Sequence, residues 1–435
     1  MSRKTMGLPS RVSRALPRDD RTLWRRATGH FAFLTTGVVL ARLVNFVMIT
    51  VVARRLGPAS FADFSFVLAI FIAYGLIANL GLENLIVREV ARSAESGRAI
   101  MEQALGVKLL ALPVGVALVL VIGWYDPSLW RIAWALFLYG QLHAELLFLY
   151  ALFRGQEKMH RQMILVVLQA LFIASLSIVA LFWRPSAESV SVAHAVGGAV
   201  PLAIGWWWVA RERLLPQRLG ERHAVGRLLR TTVPFAFSIL GLLIFDRHAI
   251  LFVEAFASRE ALGWYNAVYL VILALSQLPL IAINGLFPLL AQRAQDGARL
   301  LPIVRRAWGL LTVLGVAVAL ALFASAPWLI PLIFGAAYRP AATIMQILAL
   351  SIPAIFSMIL LNGLLQAVDQ QRMAGIAFAV GLLIACPLTA FLAARYGYLG
   401  GAVGYTIAAY LIGLLLAIFT GRIVTMPRPA SQGVR

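Results

Sequence analysis

Acidic residues and cysteine are scarce in this sequence of 435 residues. Only 13% of the residues are charged, and 18 acidic residues stand against 38 Lys and Arg, which gives a net charge of +20. Soluble globular proteins carry about 25% charged residues, so the composition excludes that class. The single cysteine, Cys386, excludes an intrachain disulfide.

Motifs of enzyme sites are also missing. The sequence contains no Cys-x-x-Cys, no His-Glu-x-x-His, no Gly-Lys-Ser/Thr phosphate loop and no Gly-x-Ser-x-Gly elbow. We therefore predict no catalytic residue, no metal site and no bound cofactor. The basic residues lie in short loops between apolar runs rather than on one folded face, so nucleic acid is not a predicted partner.

Long apolar runs dominate what is present. Hydrophobic residues make up 61% of the chain, and its mean hydropathy is +0.86. About 20 apolar residues span a bilayer as a helix. Twelve runs reach that length, and they lie at about 31–53, 62–82, 104–124, 131–152, 162–183, 190–209, 232–256, 263–289, 306–333, 341–366, 373–394 and 399–420. The predicted fold class is an all-α polytopic membrane protein with twelve transmembrane helices.

Lys and Arg are distributed unequally between the two sides of this predicted topology. The termini and the even-numbered loops carry 28 of the 38 Lys and Arg, the odd-numbered loops carry 7, and three lie within spans. Because positive residues favour the cytoplasmic side, both termini are predicted to be cytoplasmic.

The chain divides into two similar halves. Residues 61–66, FADFSF, align with 262–267, LGWYNA, and GQEKM at 155–159 aligns with DQQRM at 369–373. Each half has six spans, so the repeat is parallel, and binding sites in such proteins lie between the lobes at mid-depth. The predicted divisions are a basic cytoplasmic tail at 1–30, an N-lobe at 31–209, an amphipathic cytoplasmic linker at 210–231, a C-lobe at 232–420 and a cytoplasmic tail at 421–435.

Charges within the spans are the candidate site. Arg42 lies at the centre of the first span, with Asn45 on the same helical face, and Lys108 and Arg247 lie at other depths. An arginine at mid-depth costs about 2.5–3.5 kcal/mol on insertion scales, so it needs a partner, a water-filled cavity or an anion. We predict that Arg42, Asn45, Lys108 and Arg247 bind an anion. Snorkelling of Lys108 towards the membrane surface remains an alternative.

Acidic and histidine side chains within spans form a second set. Glu145 in the fourth span and Asp246 in the seventh could neutralise an arginine such as Arg247, or accept a proton during transport. His143 and His248 lie in the same two spans and are candidates for the same coupling or ion-pair roles.

The sequence resembles the Wzx-type polysaccharide flippases of the multidrug/oligosaccharidyl-lipid/polysaccharide exporter superfamily. The segments that carry the resemblance are ARRLGPASFADFSF at 53–66, GLENLIVREVAR at 81–92, FRGQEKM at 153–159, VPFAFSILGLLIFDRHAILF at 233–252, LGWYNAVY at 262–269 and LIFGAAYRPAATIMQILA at 332–349. The resemblance implies a MATE-like fold of two six-helix lobes in the bacterial inner membrane. It also implies transport of undecaprenyl-diphosphate-linked oligosaccharide, an O-antigen, exopolysaccharide or capsule unit, to the periplasmic leaflet, with a polysaccharide polymerase and a chain-length regulator as further partners.

Two other functions compete with this expectation. A multidrug antiporter of the same superfamily would bind cations and needs acids in its cavity, whereas the first span has Arg42 and no acid. A polysaccharide polymerase or ligase is expected to carry a large outer loop, and every predicted outer loop here is short. A flippase is predicted to need no cofactor, since an ion gradient or the membrane potential can drive an anion outward; the coupling ion is left open.

Overall fold

The computed structural model describes residues 20–79, 82–92, 94–212, 214–216, 240–283, 301–368 and 370–425. These residues fold into helices and two short 3-10 segments, and they contain no strand. The helices are α1 (Asp20–Asn79), α2 (Leu82–Arg92), α3 (Ala94–Tyr125), α4 (Trp130–Gly155), α5 (Met159–Trp183), α6 (Ala187–Arg211), α7 (240–256), α8 (Arg259–Leu275), α9 (277–283), α10 (Leu301–Phe334), α11 (Ala341–Ala349), α12 (Ile352–Ala367) and α13 (Gln371–Thr425). The predicted all-α class is confirmed. A helix satisfies its backbone hydrogen bonds within itself, as hydrocarbon requires.

The predicted apolar runs coincide with these helices. Eight helices of the described residues are long and apolar enough to cross a membrane, and the bent pair α11–α12 makes a ninth. Two of the eight, α1 and α13, change direction at Gly57 (φ 73°) and Gly397 (φ 58°). These positive φ angles lie in the left-handed region of backbone conformation, which favours glycine. Pro58 then starts the second limb of α1, where a missing N–H costs nothing. Each kinked helix therefore holds two of the twelve runs.

Parts of some predictions lie outside the described residues. These parts are 80–81 of the second run, 232–239 of the seventh, 284–289 of the eighth, most of the 210–231 linker, and the outer portions of both predicted tails. Residues 20–30 and 421–425, predicted as tail, belong to α1 and α13.

The helices pack into two groups that correspond to the halves of the sequence. In the first group α1 packs against α4, α5 and α6, and α5 packs against α6. In the second, α12 packs against α13, and α10 packs against α11 and α12. The two groups, here called the N-lobe and the C-lobe, meet mainly through α1 and α8.

The outer surface is typical of contact with lipid. On α10 only seven residues are buried, and exposed side chains such as Leu310 and Val313 are apolar. Large aromatic side chains are exposed where helices end, and Trp124 and Trp183 are 88% and 90% exposed. Aromatic residues are enriched at the two membrane interfaces. The chain is a multi-pass membrane protein.

Candidate functional site

Arg42 lies on the first limb of α1, between a buried face and an exposed apolar face. Ala41, Met48 and Val52 are buried against the N-lobe, whereas Leu43 is 59% exposed. Arg42 and Asn45 occupy the flank between these faces, and both are exposed. No described acidic residue forms an ion pair with Arg42.

Lys108 is the buried half of an ion pair. Its Nζ lies 3.1 Å from Glu145 Oε1 and donates to the carbonyl oxygen of Ala144 at 3.1 Å. The ammonium also lies 4.5 Å from the centroid of the Phe148 ring. The Lys108 side chain is only 7% exposed, so it points into the N-lobe instead of snorkelling to the surface. Glu145 thus pairs with Lys108, and neither Arg42 nor Arg247 is its partner.

His143 joins a hydrogen-bonded chain inside the N-lobe. The Tyr150 hydroxyl donates to Gln169 Oε1 at 3.2 Å, and Gln169 Nε2 lies 3.2 Å from His143 Nδ1. Arg42 lies on α1, which packs against α4, the helix that carries His143. Sequence reasoning missed Tyr150 and Gln169. A signal was present, because Gln162 and Gln169 are seven residues apart on one face of a mostly apolar helix, and both are buried.

Asp246 belongs to a separate cavity within the C-lobe. The cavity has a volume of about 280 Å³, and Asp246 lines it together with Tyr269, Asn362 and Gln366. Arg247, the next residue, lies with its guanidinium carbon 5.8 Å from the centroid of the Tyr269 ring. The four predicted anion ligands are therefore not gathered at one site. Arg42 and Asn45 share one helical flank, Lys108 is neutralised, and Arg247 lies in the other lobe.

His248 is held by packing. It is 2% exposed, stacks on Tyr405 with the ring centroids 6.0 Å apart, and its Nδ1 lies 2.7 Å from the Phe245 carbonyl oxygen. Among the described residues no three His, Cys, Asp or Glu side chains gather as a metal site.

A set of contacts, here called the inter-lobe clamp, joins the lobes where α1 turns at Gly57. Arg259, in the first turn of α8, forms ion pairs with Asp63 on α1 and with Asp126 in the loop between α3 and α4. Arg54 Nε donates to the Ile333 carbonyl oxygen at 2.5 Å, at the C-terminal end of α10. Helix ends leave such carbonyls unpaired, and a cation there is favourable.

Uncharged contacts complete the inter-lobe clamp. Asn266 Nδ2 donates to Ser65 Oγ at 2.8 Å, and the Tyr338 hydroxyl donates to the Ala53 carbonyl oxygen at 3.0 Å. Gly263 lies so close to the Pro58 carbonyl that a side chain at position 263 would collide with it. The clamp therefore needs a glycine here for a close approach of two helices.

Comparison with known proteins gives one family and one fold. The polysaccharide biosynthesis protein family matches residues 28–293. The chain resembles an inward-facing multidrug resistance MATE family transporter of the MOP superfamily, with TM-score 0.72 and 15% identity, covering 89% of this chain and 94% of that chain. It resembles the lipid II flippase MurJ in an inward closed conformation, with TM-score 0.71 and 13% identity, covering 89% of this chain and 87% of that one.

An outward-facing MATE family transporter matches with TM-score 0.59 and 15% identity, covering 90% of this chain and 96% of that chain. No curated protein sequence matches the chain. The two-lobed MATE-like fold that the sequence predicted is confirmed by these structures.

Proposed function

This chain belongs to the polysaccharide biosynthesis protein family, and on that premise we propose that it is a flippase for a lipid-linked oligosaccharide. The substrate is an undecaprenyl-diphosphate-linked glycan, which the protein moves from the cytoplasmic to the periplasmic leaflet of the bacterial inner membrane. The observation that carries the proposal is that Arg42, an exposed residue in a membrane span, has no described acid paired to it.

The chemistry of Arg42 fits a diphosphate. A guanidinium exposed to hydrocarbon is costly, so the open flank of α1 faces a polar space between the lobes. The planar fork of an arginine donates two parallel hydrogen bonds to a phosphate, which an ammonium cannot do. The lipid tail can remain in the bilayer while the headgroup passes through this space.

Alternating access is supported by the position of the inter-lobe clamp. In the orientation that the Lys and Arg distribution predicts, Arg259, Asp63 and Asp126 lie at the periplasmic end. The lobes are held together there, as in a state that opens towards the cytoplasm. The better match to the inward-facing than to the outward-facing MATE structure agrees with this arrangement.

The orientation has its own test. Reporter fusions after residues 95, 158, 220, 297 and 370 should be active in the cytoplasm. Fusions after residues 57, 127, 186 and 259 should be active in the periplasm. A reproducible inversion within this series would place the clamp at the wrong side and remove its support for the proposed cycle.

The membrane potential can drive the outward step. With the inside negative, outward movement of an anion gains about 2.3 kcal/mol per charge per 100 mV. Return of the empty carrier can be coupled to a proton or cation at Asp246, because this carboxylate lines an internal cavity whereas Glu145 is neutralised by Lys108. If so, Asp246→Asn loses the dependence of transport on a pH gradient, and Glu145→Gln keeps it.

Complementation of a flippase-null strain tests the function. Arg42→Ala should abolish surface polysaccharide at normal membrane abundance, and Arg42→Lys should restore only part of it. Arg131→Ala is the matched control, because Arg131 forms an exposed ion pair with Glu188 within one lobe. Normal export by Arg42→Ala would refute the anion site. If a purified wild type preferred cationic drugs to a diphosphate-linked lipid, the multidrug antiporter alternative would replace the flippase.

A further inference from the structure

The hydrogen-bonded chain Tyr150–Gln169–His143 takes its direction from the orientation of the Gln169 amide. That orientation gives each member a donor or an acceptor role. The Tyr150 hydroxyl donates to the amide oxygen of Gln169, so the amide nitrogen of Gln169 is left to donate to His143 Nδ1. A ring nitrogen that accepts a hydrogen bond carries no proton. The network therefore assigns the proton of the neutral imidazole to Nε2.

Burial makes this assignment stable. Tyr150 is 6% exposed and Gln169 is 8% exposed, so neither exchanges its partner for bulk water. Tyr139, one turn before His143, stacks on the imidazole with an interplanar angle of 21° and the centroids 5.7 Å apart. The ring is thus held in its plane, with Nδ1 occupied by Gln169, and His143 is partly exposed.

The surroundings of His143 favour a neutral donor. Arg42 lies on α1, which packs against α4, the helix that carries His143, and a second cation beside a guanidinium would be repelled. From α5 the ring meets the uncharged amide of Gln169, and from its own helix the phenol ring of Tyr139. A guanidinium and a neutral N–H donor on adjacent helices of one lobe together suit an anion with two linked acceptor groups.

We propose that His143 is a second phosphate ligand, whose Nε2–H binds the diphosphate held by Arg42, and that Gln169 and Tyr150 are positioning residues. This inference rests on the proposed function and deepens it. Arg42 takes one phosphate with its two-pronged donors, and His143 takes the other. The pair selects a diphosphate-linked lipid over a monophosphate-linked one.

The proposal predicts that substitutions at His143 and Gln169 weaken the binding of a diphosphate probe more than the binding of a monophosphate probe. Purified protein is titrated with farnesyl diphosphate and with farnesyl monophosphate. His143→Phe keeps an aromatic ring but removes the N–H donor. Gln169→Leu removes the hydrogen bond to Nδ1, so the imidazole proton is no longer fixed on Nε2. Both should weaken diphosphate binding about tenfold, the value of one charge-assisted hydrogen bond, and change monophosphate binding less than about twofold. His143→Asn, which retains a side-chain N–H, should recover part of the preference. Arg42→Ala should weaken both ligands.

A spectroscopic measurement decides the tautomer independently. In protein labelled with ¹⁵N-histidine, His143 of the wild type should show a protonated Nε2 and an unprotonated Nδ1. Gln169→Glu should reverse this, because a carboxylate can only accept and Nδ1 must then donate. If the substitution at His143 prevents folding, this comparison still tests the assignment.

Failure of the inference and failure of the proposed function look different. A protonated Nδ1 in the wild type, or a His143→Phe variant that keeps the diphosphate preference, overturns the inference while Arg42→Ala still abolishes export. If the wild type binds neither farnesyl probe, both proposals fall. If it binds both probes equally, the selection by His143 is wrong and the anion site at Arg42 stands.

Discussion

Asn266 donates a hydrogen bond to Ser65 across the lobe interface at 2.8 Å, and the two residues are 201 positions apart. This is the offset at which FADFSF, 61–66, aligns with LGWYNA, 262–267. Two equivalent residues of a pseudo-twofold pair can contact each other only where they lie close to the axis. The axis of the internal repeat therefore passes near Ser65 and Asn266, through the inter-lobe clamp.

The first prediction concerns this contact. With the native cysteine removed by Cys386→Ala, Ser65→Cys with Asn266→Cys should join the lobes under a short cysteine crosslinker. Export should stop and return after cleavage of the link, because alternating access requires the lobes to separate here. The control pair is Arg131→Cys with Glu188→Cys, which links two helices of one lobe. Unimpaired export by the crosslinked Ser65–Asn266 pair would show that the clamp never opens.

The second prediction concerns the charged part of the clamp. Arg259→Ala removes both ion pairs, with Asp63 and with Asp126, and so favours the open outer end. A population shift worth about 1 kcal/mol changes the open fraction about fivefold. Labelling of a cysteine at position 65 by a membrane-impermeant maleimide should rise by that factor. Arg131→Ala, which breaks a pair within one lobe, should leave the labelling rate unchanged; an equal rise in both variants would indicate general loosening.

The third prediction concerns Lys108 and Glu145. Breaking a buried ion pair leaves one unpaired charge and costs about 3–5 kcal/mol, whereas replacing both partners by apolar residues is close to neutral. Lys108→Met alone should therefore lower membrane abundance and thermal stability, and Lys108→Met with Glu145→Met should recover most of both. The double variant should still export polysaccharide. Its failure to export at normal abundance would restore Lys108 as a substrate ligand.

The fourth prediction concerns Glu212, just beyond the end of α6. Its carboxylate accepts from Lys158 and from Arg161, the latter at 2.5 Å. Partial burial acts to raise the pKa of Glu212, but the hydrogen bonds and charges of Lys158 and Arg161 outweigh it and hold the pKa below its usual range. Because the pKa of Glu212 is lower in the folded state, its ionised carboxylate stabilises the fold at pH values above the unfolded-state pKa of about 4.3. This stabilisation is lost as the pH falls through the folded-state pKa.

Glu212→Gln should therefore lower the apparent melting temperature in detergent by about 1–2 °C at pH 7, since ion pairs that stay in contact with water contribute about 1 kcal/mol or less. The difference from wild type should shrink below about pH 4. Glu157→Gln, in the exposed loop before α5, is the control and should match the wild type at both values. A difference that persists in acid would assign the effect to packing instead of charge.

The membrane-spanning architecture follows from local sequence features. Runs of about 20 apolar residues cross a bilayer as helices whatever surrounds them, because hydrocarbon leaves the backbone no other partner. The turn at Gly57 with Pro58 and the polar flank of Arg42 and Asn45 are visible in the sequence, since each depends on residues close together in the chain. The repeat at 61–66 and 262–267 is visible because two segments of the sequence resemble each other.

The partners of the buried charges were decided by tertiary structure alone. Sequence placed Lys108, Glu145, Arg42 and Arg247 within spans at approximate depths, but depth along a helix does not specify rotation or neighbour. Packing of α3 against α4 brings Lys108 to Glu145, and packing of α5 beside α4 brings Gln169 to His143. Because a buried polar group is stable only beside its partner, the arrangement of helices determined which cation was neutralised and left Arg42 available.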